Sequence, residues 1–107
     1  MAGYVILDER NMPVGAFVFN GHSGPNVELT ICCDLPLTTR VVRFIARLAF
    51  VELQAVRITA HSRVTNRRAI IAMKKLGFVY EGISFDHFGM GDDAKIFGLL
   101  KREQRLI

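Results

Sequence analysis

The stretch Thr65–Gly82, TNRRAIIAMKKLGFVYEG, reads as a capped helix, a glycine stop and the opening of a strand. Thr65 or Asn66 supplies the cap, because a side-chain oxygen there can accept from an orphan backbone N–H of the first turn. Ala69, Ile70, Met73 and Leu76 recur at steps of three and four, which puts them on one buried face. Lys74 and Lys75 lie in the last turn, where the partial negative charge of a helix C-terminus favours cations, and Gly77 follows as a left-handed cap. The helix is predicted to end at Leu76.

Working outward, Val56, Ile58 and Ala60 alternate with Arg57, Thr59 and His61 in a strand just before this helix. Before that strand the period lies between three and four. Leu37, Val41, Phe44, Ile45, Leu48 and Val51 form an apolar stripe, with Arg40, Arg43 and Arg47 on another face. Pro36 suits the first helical position, where its missing N–H costs nothing, and the helix should run to about Leu53. Further upstream, Val27–Cys33 alternates as a strand, and Tyr4–Asp8 and Val14–Asn20 make a hairpin around Glu9–Pro13. The third strand should pair antiparallel with the second and, through a helical crossover, parallel with the fourth. Downstream, Phe78–Phe88 and Ala94–Lys101 flank GMGDD, residues 89–93, a hairpin signal. The order β-β-β-α-β-α-β-β predicts an α/β domain, one mixed sheet with two helices.

At 107 residues the chain is expected to be one domain with a core of its own. No apolar run reaches bilayer-crossing length, and Asp8, Glu9 and Arg10 interrupt any leader-like start, so a cytoplasmic protein with no membrane association is the expectation. Cys32 and Cys33 are adjacent on a strand, where their side chains point to opposite faces, and read as reduced structural thiols. The three histidines, His22, His61 and His87, have no metal-ligand spacing, so no metal is expected. The net charge of +4 is uneven, gathered in Arg40/Arg43/Arg47, Arg63/Arg67/Arg68 and Lys101/Arg102/Arg105. Such groups could meet a polyphosphate, a nucleic acid or an acidic partner, or simply be solvated faces. Nucleic acid is the weakest of these, because aromatic residues are not interleaved as stacking platforms.

Asn66, Ala69, Lys75-Leu76-Gly77-Phe78 and Glu81-Gly82, in that order, resemble the last helix and following strand of the GNAT superfamily of acyl-CoA-dependent N-acyltransferases. Within it the chain looks most like the branch that acetylates ribosomal-protein N-termini and its small phage-encoded relatives. The resemblance runs from about Tyr4 to Leu100 and begins at what would be the family's second strand. The family's first strand and two following helices, which build much of the acceptor wall in relatives, have no counterpart here. The acceptor site would then be open, or completed by a second subunit in a homodimer or by another partner.

The resemblance implies acetyl-CoA in a cleft where the third and fourth strands splay apart, and attack by an acceptor amine on the thioester. Glu28 would be the base, directly or through water. Backbone N–H groups of Ile31, Cys32 and Cys33 would hold the pantetheine arm and the oxyanion, and Asn66 would contact the cofactor arm. Thr38, Thr39 and Arg40 would meet the pyrophosphate. The loop before them, DLPLTTR at 34–40, lacks the family's glycines, which let backbone amides close around phosphates, and Asp34 adds a negative charge. The family's two general-acid positions fall on Met73 and Ala69, which cannot protonate a thiolate, and Tyr80 is the substitute candidate.

Two functions follow. One is an N-acetyltransferase moving acetyl from acetyl-CoA to a protein or small-molecule amine. The other is a catalytically degenerate, phage-type relative that binds and modulates a host protein in the host cytoplasm.

Overall fold

The computed structural model describes residues 2–7, 10, 13–31 and 38–107, with side chains described for 10, 24–31 and 38–107. The elements are β1 (Ala2–Leu7), β2 (Pro13–Ser23), β3 (Asn26–Ile31), α1 (Thr39–Arg47), β4 (Arg57–Arg63), α2 (Arg67–Lys75), β5 (Val79–Gly89) and β6 (Asp92–Leu100). They form a six-stranded mixed sheet in the order β1-β2-β3-β4-β6-β5. Every junction is antiparallel except β3–β4, which is parallel, as expected of two strands joined through a helix.

The period-two pattern sorts the sheet into two faces. Register places Val27 beside Ile58, Leu29 beside Ala60, Ile58 beside Leu99 and Ala60 beside Phe97, and all of these are buried. Val42, Ile45 and Ala46 of α1 and Ala69, Ile70 and Met73 of α2 join them in one core. Both helices therefore cover the same face. The other face presents Glu28, Thr30, Thr59, His61 and Gly98, and no described helix lies over it.

The helix limits follow from local chemistry. Thr38 caps α1, its Oγ accepting from the Val41 N–H at 3.3 Å, so the first helical residue is Thr39 and not the expected Pro36, which lies outside the described residues. After Arg47 the turns widen over Leu48–Glu52, where the Leu53 N–H donates to the Leu48 carbonyl at 3.0 Å. Helical structure thus extends to the predicted end near Leu53. In α2 Asn66, rather than Thr65, is the cap, accepting from the Ala69 N–H at 3.3 Å. Leu76 closes the helix and Gly77 adopts φ +100°, as read from its sequence.

Candidate functional site

The site is built at the one parallel junction. Among the described residues the β3–β4 ladder ends at Thr30 opposite His61. Beyond it β3 still pairs with β2 at Ile31, and β4 still pairs with β6 at Ser62 and Arg63. Among the described residues, Ile31 and Ser62 are each paired with their outer neighbours, β2 and β6. Ile31 is buried at this point, and Ser62 is fully so.

Because β3 and β4 are parallel, the helices that follow them both start from this end of the sheet. Asn66 caps α2 only three residues after β4 ends, and its N–H donates to the Arg63 carbonyl at 3.0 Å. The free N–H groups and dipole of a helix N-terminus favour an anion there. A cavity of about 400 Å³ opens at the start of α2, lined by Thr65, Asn66, Arg67 and Arg68. Its size is that of a small-molecule site. Asn66 is buried, while Thr38, Thr39 and Arg40 at the start of α1 are exposed. The N-terminus of α2 and the two arginines give this cavity a positive character that suits an anionic group. The loop from Asp34 to Leu37, and with it Cys32 and Cys33, lies outside the described residues.

On the helix-free face, Glu28 is exposed and stands in register with Thr59. His61, next along the same face of β4, is 9 % exposed. Its ring stacks on His87 at 4.6 Å between centroids, 8° from parallel, and its Nδ1 has no hydrogen-bond partner among the described residues. Burial, then the neighbouring His87, lowers the His61 pKa below the ordinary 6.5, against the opposite pull of Glu28 and of the Leu29 carbonyl. The imidazole is therefore mainly neutral at pH 7.

His87 reaches this position because β5 turns at Asp86, whose φ is +54°. The turn is cross-braced: the Asp86 N–H donates to Asp93 Oδ1, and the Gly91 N–H donates to Asp86 Oδ1, each at 2.8 Å. Ser84 Oγ lies 3.3 Å from His87 Nδ1, and the Arg63 guanidinium sits 4.9 Å over the Phe88 ring while bonding Asp92 at 3.0 Å. Nearer the other end of β4, Arg57 donates to Thr59 Oγ1 at 3.0 Å and to both oxygens of Glu81, and Thr59 donates to Asn26 at 2.8 Å. Gly98 makes room for this pair, since a Cβ there would lie 2.7 Å from Glu81 Cδ and 2.8 Å from Arg57 Nη2.

The structure gathers Ile31, Asn66 and the start of α1 at one end of the sheet, with Glu28 on the face behind them. It does not bring Tyr80 there. Tyr80 pairs with Phe97 on the helix-covered face of β5, two strands from β4, with its ring edge-on to Phe97 at 5.6 Å and Lys95 at 5.7 Å above it. Glu28 and Tyr80 occupy opposite faces. Sequence reasoning missed His61, whose alternation with Thr59 and Arg57 gave a face but no sign of burial. Among the described residues no group of three acidic, histidine or cysteine side chains could hold a metal ion, and no helix is long and apolar enough to cross a membrane.

No family model and no curated protein matches the sequence. Solved structures do. A chimera of the spermidine N-acetyltransferase SpeG from Vibrio cholerae with hSSAT superposes with a TM-score of 0.73 at 20% identity, over 94% of this chain and 67% of its own. A putative acetyltransferase from T. thermophilus gives 0.75 at 22% identity, over 94% and 59%. A GNAT-family acetyltransferase from Bacillus anthracis gives 0.71 at 21%, over 94% and 67%. The chain spans about two thirds or less of the length of these structures. What they share with it is architecture, and the chain has the GNAT acetyltransferase fold.

Proposed function

We propose that this chain is a single GNAT-type domain that binds acetyl-CoA where β3 and β4 part and transfers its acetyl group to an amine. The observation that carries this reading is the end of the ladder at Thr30 and His61 while both strands continue with their outer partners. That end of the sheet is the one from which both helices start, and a cavity lined by Asn66 and two arginines opens at the start of α2. When bound, acetyl-CoA supplies an acyl group activated as a thioester.

Each residue has a part in this reading. Exposed N–H and hydroxyl groups at Thr38 and Thr39, with Arg40, meet phosphate charge. The Thr38 hydroxyl already accepts from Val41 but keeps its proton to donate. Asn66 and the backbone of Ile31 line the cofactor arm. Glu28 is the carboxylate of the acceptor side, on the face that no described helix covers. Tyr80, paired with Phe97 on the face that the helices cover, is given no role in this reading. The amine belongs to a protein N-terminus, as the ribosomal-type resemblance implies, or to a small molecule such as the polyamine named for the Vibrio cholerae structure. The setting is cytoplasmic, and a second copy of the chain or the acceptor itself would cover the open face.

Thermal unfolding with and without acetyl-CoA tests the reading. At about one hundred times its Kd a ligand stabilises the native state by about 2.7 kcal/mol, which is about 10 °C for a domain of this size. No shift at millimolar acetyl-CoA would reject the transferase. A degenerate phage-type protein that modulates a host partner would then be the reading left.

A further inference from the structure

We infer that His61 is the catalytic base of the acceptor site, taking the proton of the attacking amine, and that Glu28 and the stacked His87 position and tune it. The inference rests on the transferase reading. Among the described residues His61 is the last residue of β4 paired with β3, and it stands on the face that no described helix covers. It is 9 % exposed, yet its Nδ1 has no hydrogen-bond partner among the described residues. A buried ring nitrogen without a partner forgoes a bond that most buried polar groups make, and a catalytic role is one physical reason for such an exception.

The surroundings suit a base and not a fixed charge. Glu28 from β3 is the nearby anion and favours the protonated ring, while His87 from β5 opposes it. β6 contributes the uncharged Ile96 opposite His61. The cations on β4 are already engaged, Arg57 with Glu81 and Arg63 with Asp92. His87 fixes the plane of the His61 ring by stacking. In the transfer, a C–N bond forms as a C–S bond breaks. The proton of the attacking nitrogen goes to the His61 ring, and the electron pair of the broken bond leaves on sulfur, which takes a proton from water.

The test joins kinetics to a measurement on the free protein. CoA release is followed across pH with three amines: spermidine, a peptide with a free N-terminus, and a blocked peptide carrying one lysine. The His61 ring is titrated by NMR without any ligand. The expected result is an inflection in kcat/KM at the pH where the His61 ring titrates, below 6.5. In Glu28→Gln both should move together to lower pH. His61→Gln, shown folded by its thermal transition, should lose about 10²-fold in kcat/KM and the inflection with it. A folded His61→Gln with unchanged kcat/KM, or an inflection that does not follow the His61 titration, would overturn the assignment. Turnover of none of the three amines by protein that acetyl-CoA does stabilise would overturn it too, and would leave cofactor binding standing. Absence of any thermal shift sinks the transferase reading itself.

Discussion

Asn66 carries two tasks that a single substitution can separate. Its Oδ1 accepts from the Ala69 N–H and caps α2, and the same buried side chain lines the cavity beside the strand ends. Replacing it by alanine would mix the two effects, because loss of a cap alone costs about 1 kcal/mol. Serine caps as well as asparagine but reaches less far and has no amide. Asn66→Ser should therefore leave the thermal midpoint of the free protein within about 2 °C. It should shrink the shift caused by acetyl-CoA by at least half. An undiminished shift would reduce Asn66 to a cap. His61 belongs to this scale as well: it is distinguished by what covers it, and that cover comes from His87, which is twenty-six positions away in the chain.

At the scale of elements, the two helix ends pose the same steric problem with different residues. Gly77 after α2 sits at φ +100°, where a Cβ is strained, and Gln54 after the widened end of α1 sits at φ +54° with a full side chain. Gln54→Gly should raise stability by about 0.5 to 1 kcal/mol, and Gly77→Ala should lower it by about 1 to 2 kcal/mol. Urea unfolding of both variants checks this, and equal effects of one sign would contradict it. These ends also show what was legible. Gly77 announced its own conformation, as the alternating strands announced their faces and GMGDD its turn at Met90–Gly91. Gln54 gave no signal, because left-handed geometry there is imposed by closure of the wide turn, with the Ala55 N–H donating to the Ala49 carbonyl at 2.9 Å. Asp86 is the same case at the other edge of the sheet. Its turn places His87 over His61, and it depends on Gly91 in the hairpin turn and Asp93 in the next strand. Element order was readable from local periodicity, whereas the composition of the site was set by contacts between distant segments. Asn66 could be named in advance because its cap is local. The face that Tyr80 occupies was not legible, because sequence position near α2 does not reveal it.

For the whole molecule, the proposal is that a ligand enters between two strands and not onto a surface. That makes a spatial prediction for amide hydrogen exchange. Saturating acetyl-CoA should slow exchange at Ile31, at Ser62 and Arg63, and across Asn66–Arg68, where β3 and β4 part and α2 begins. The β5–β6 pairs from Val79 to Ser84 lie beyond β6 from the gap and should gain only what global stabilisation gives every amide. The discriminating quantity is therefore the excess at the gap over the β5–β6 background. If protection rises evenly through the sheet, the ligand acts on global stability from some other place. If it concentrates instead around Val56 and Leu100–Arg102, where a second cavity of about 600 Å³ opens at the opposite end of β4, the site is there and the slot is only a feature of the inherited scaffold.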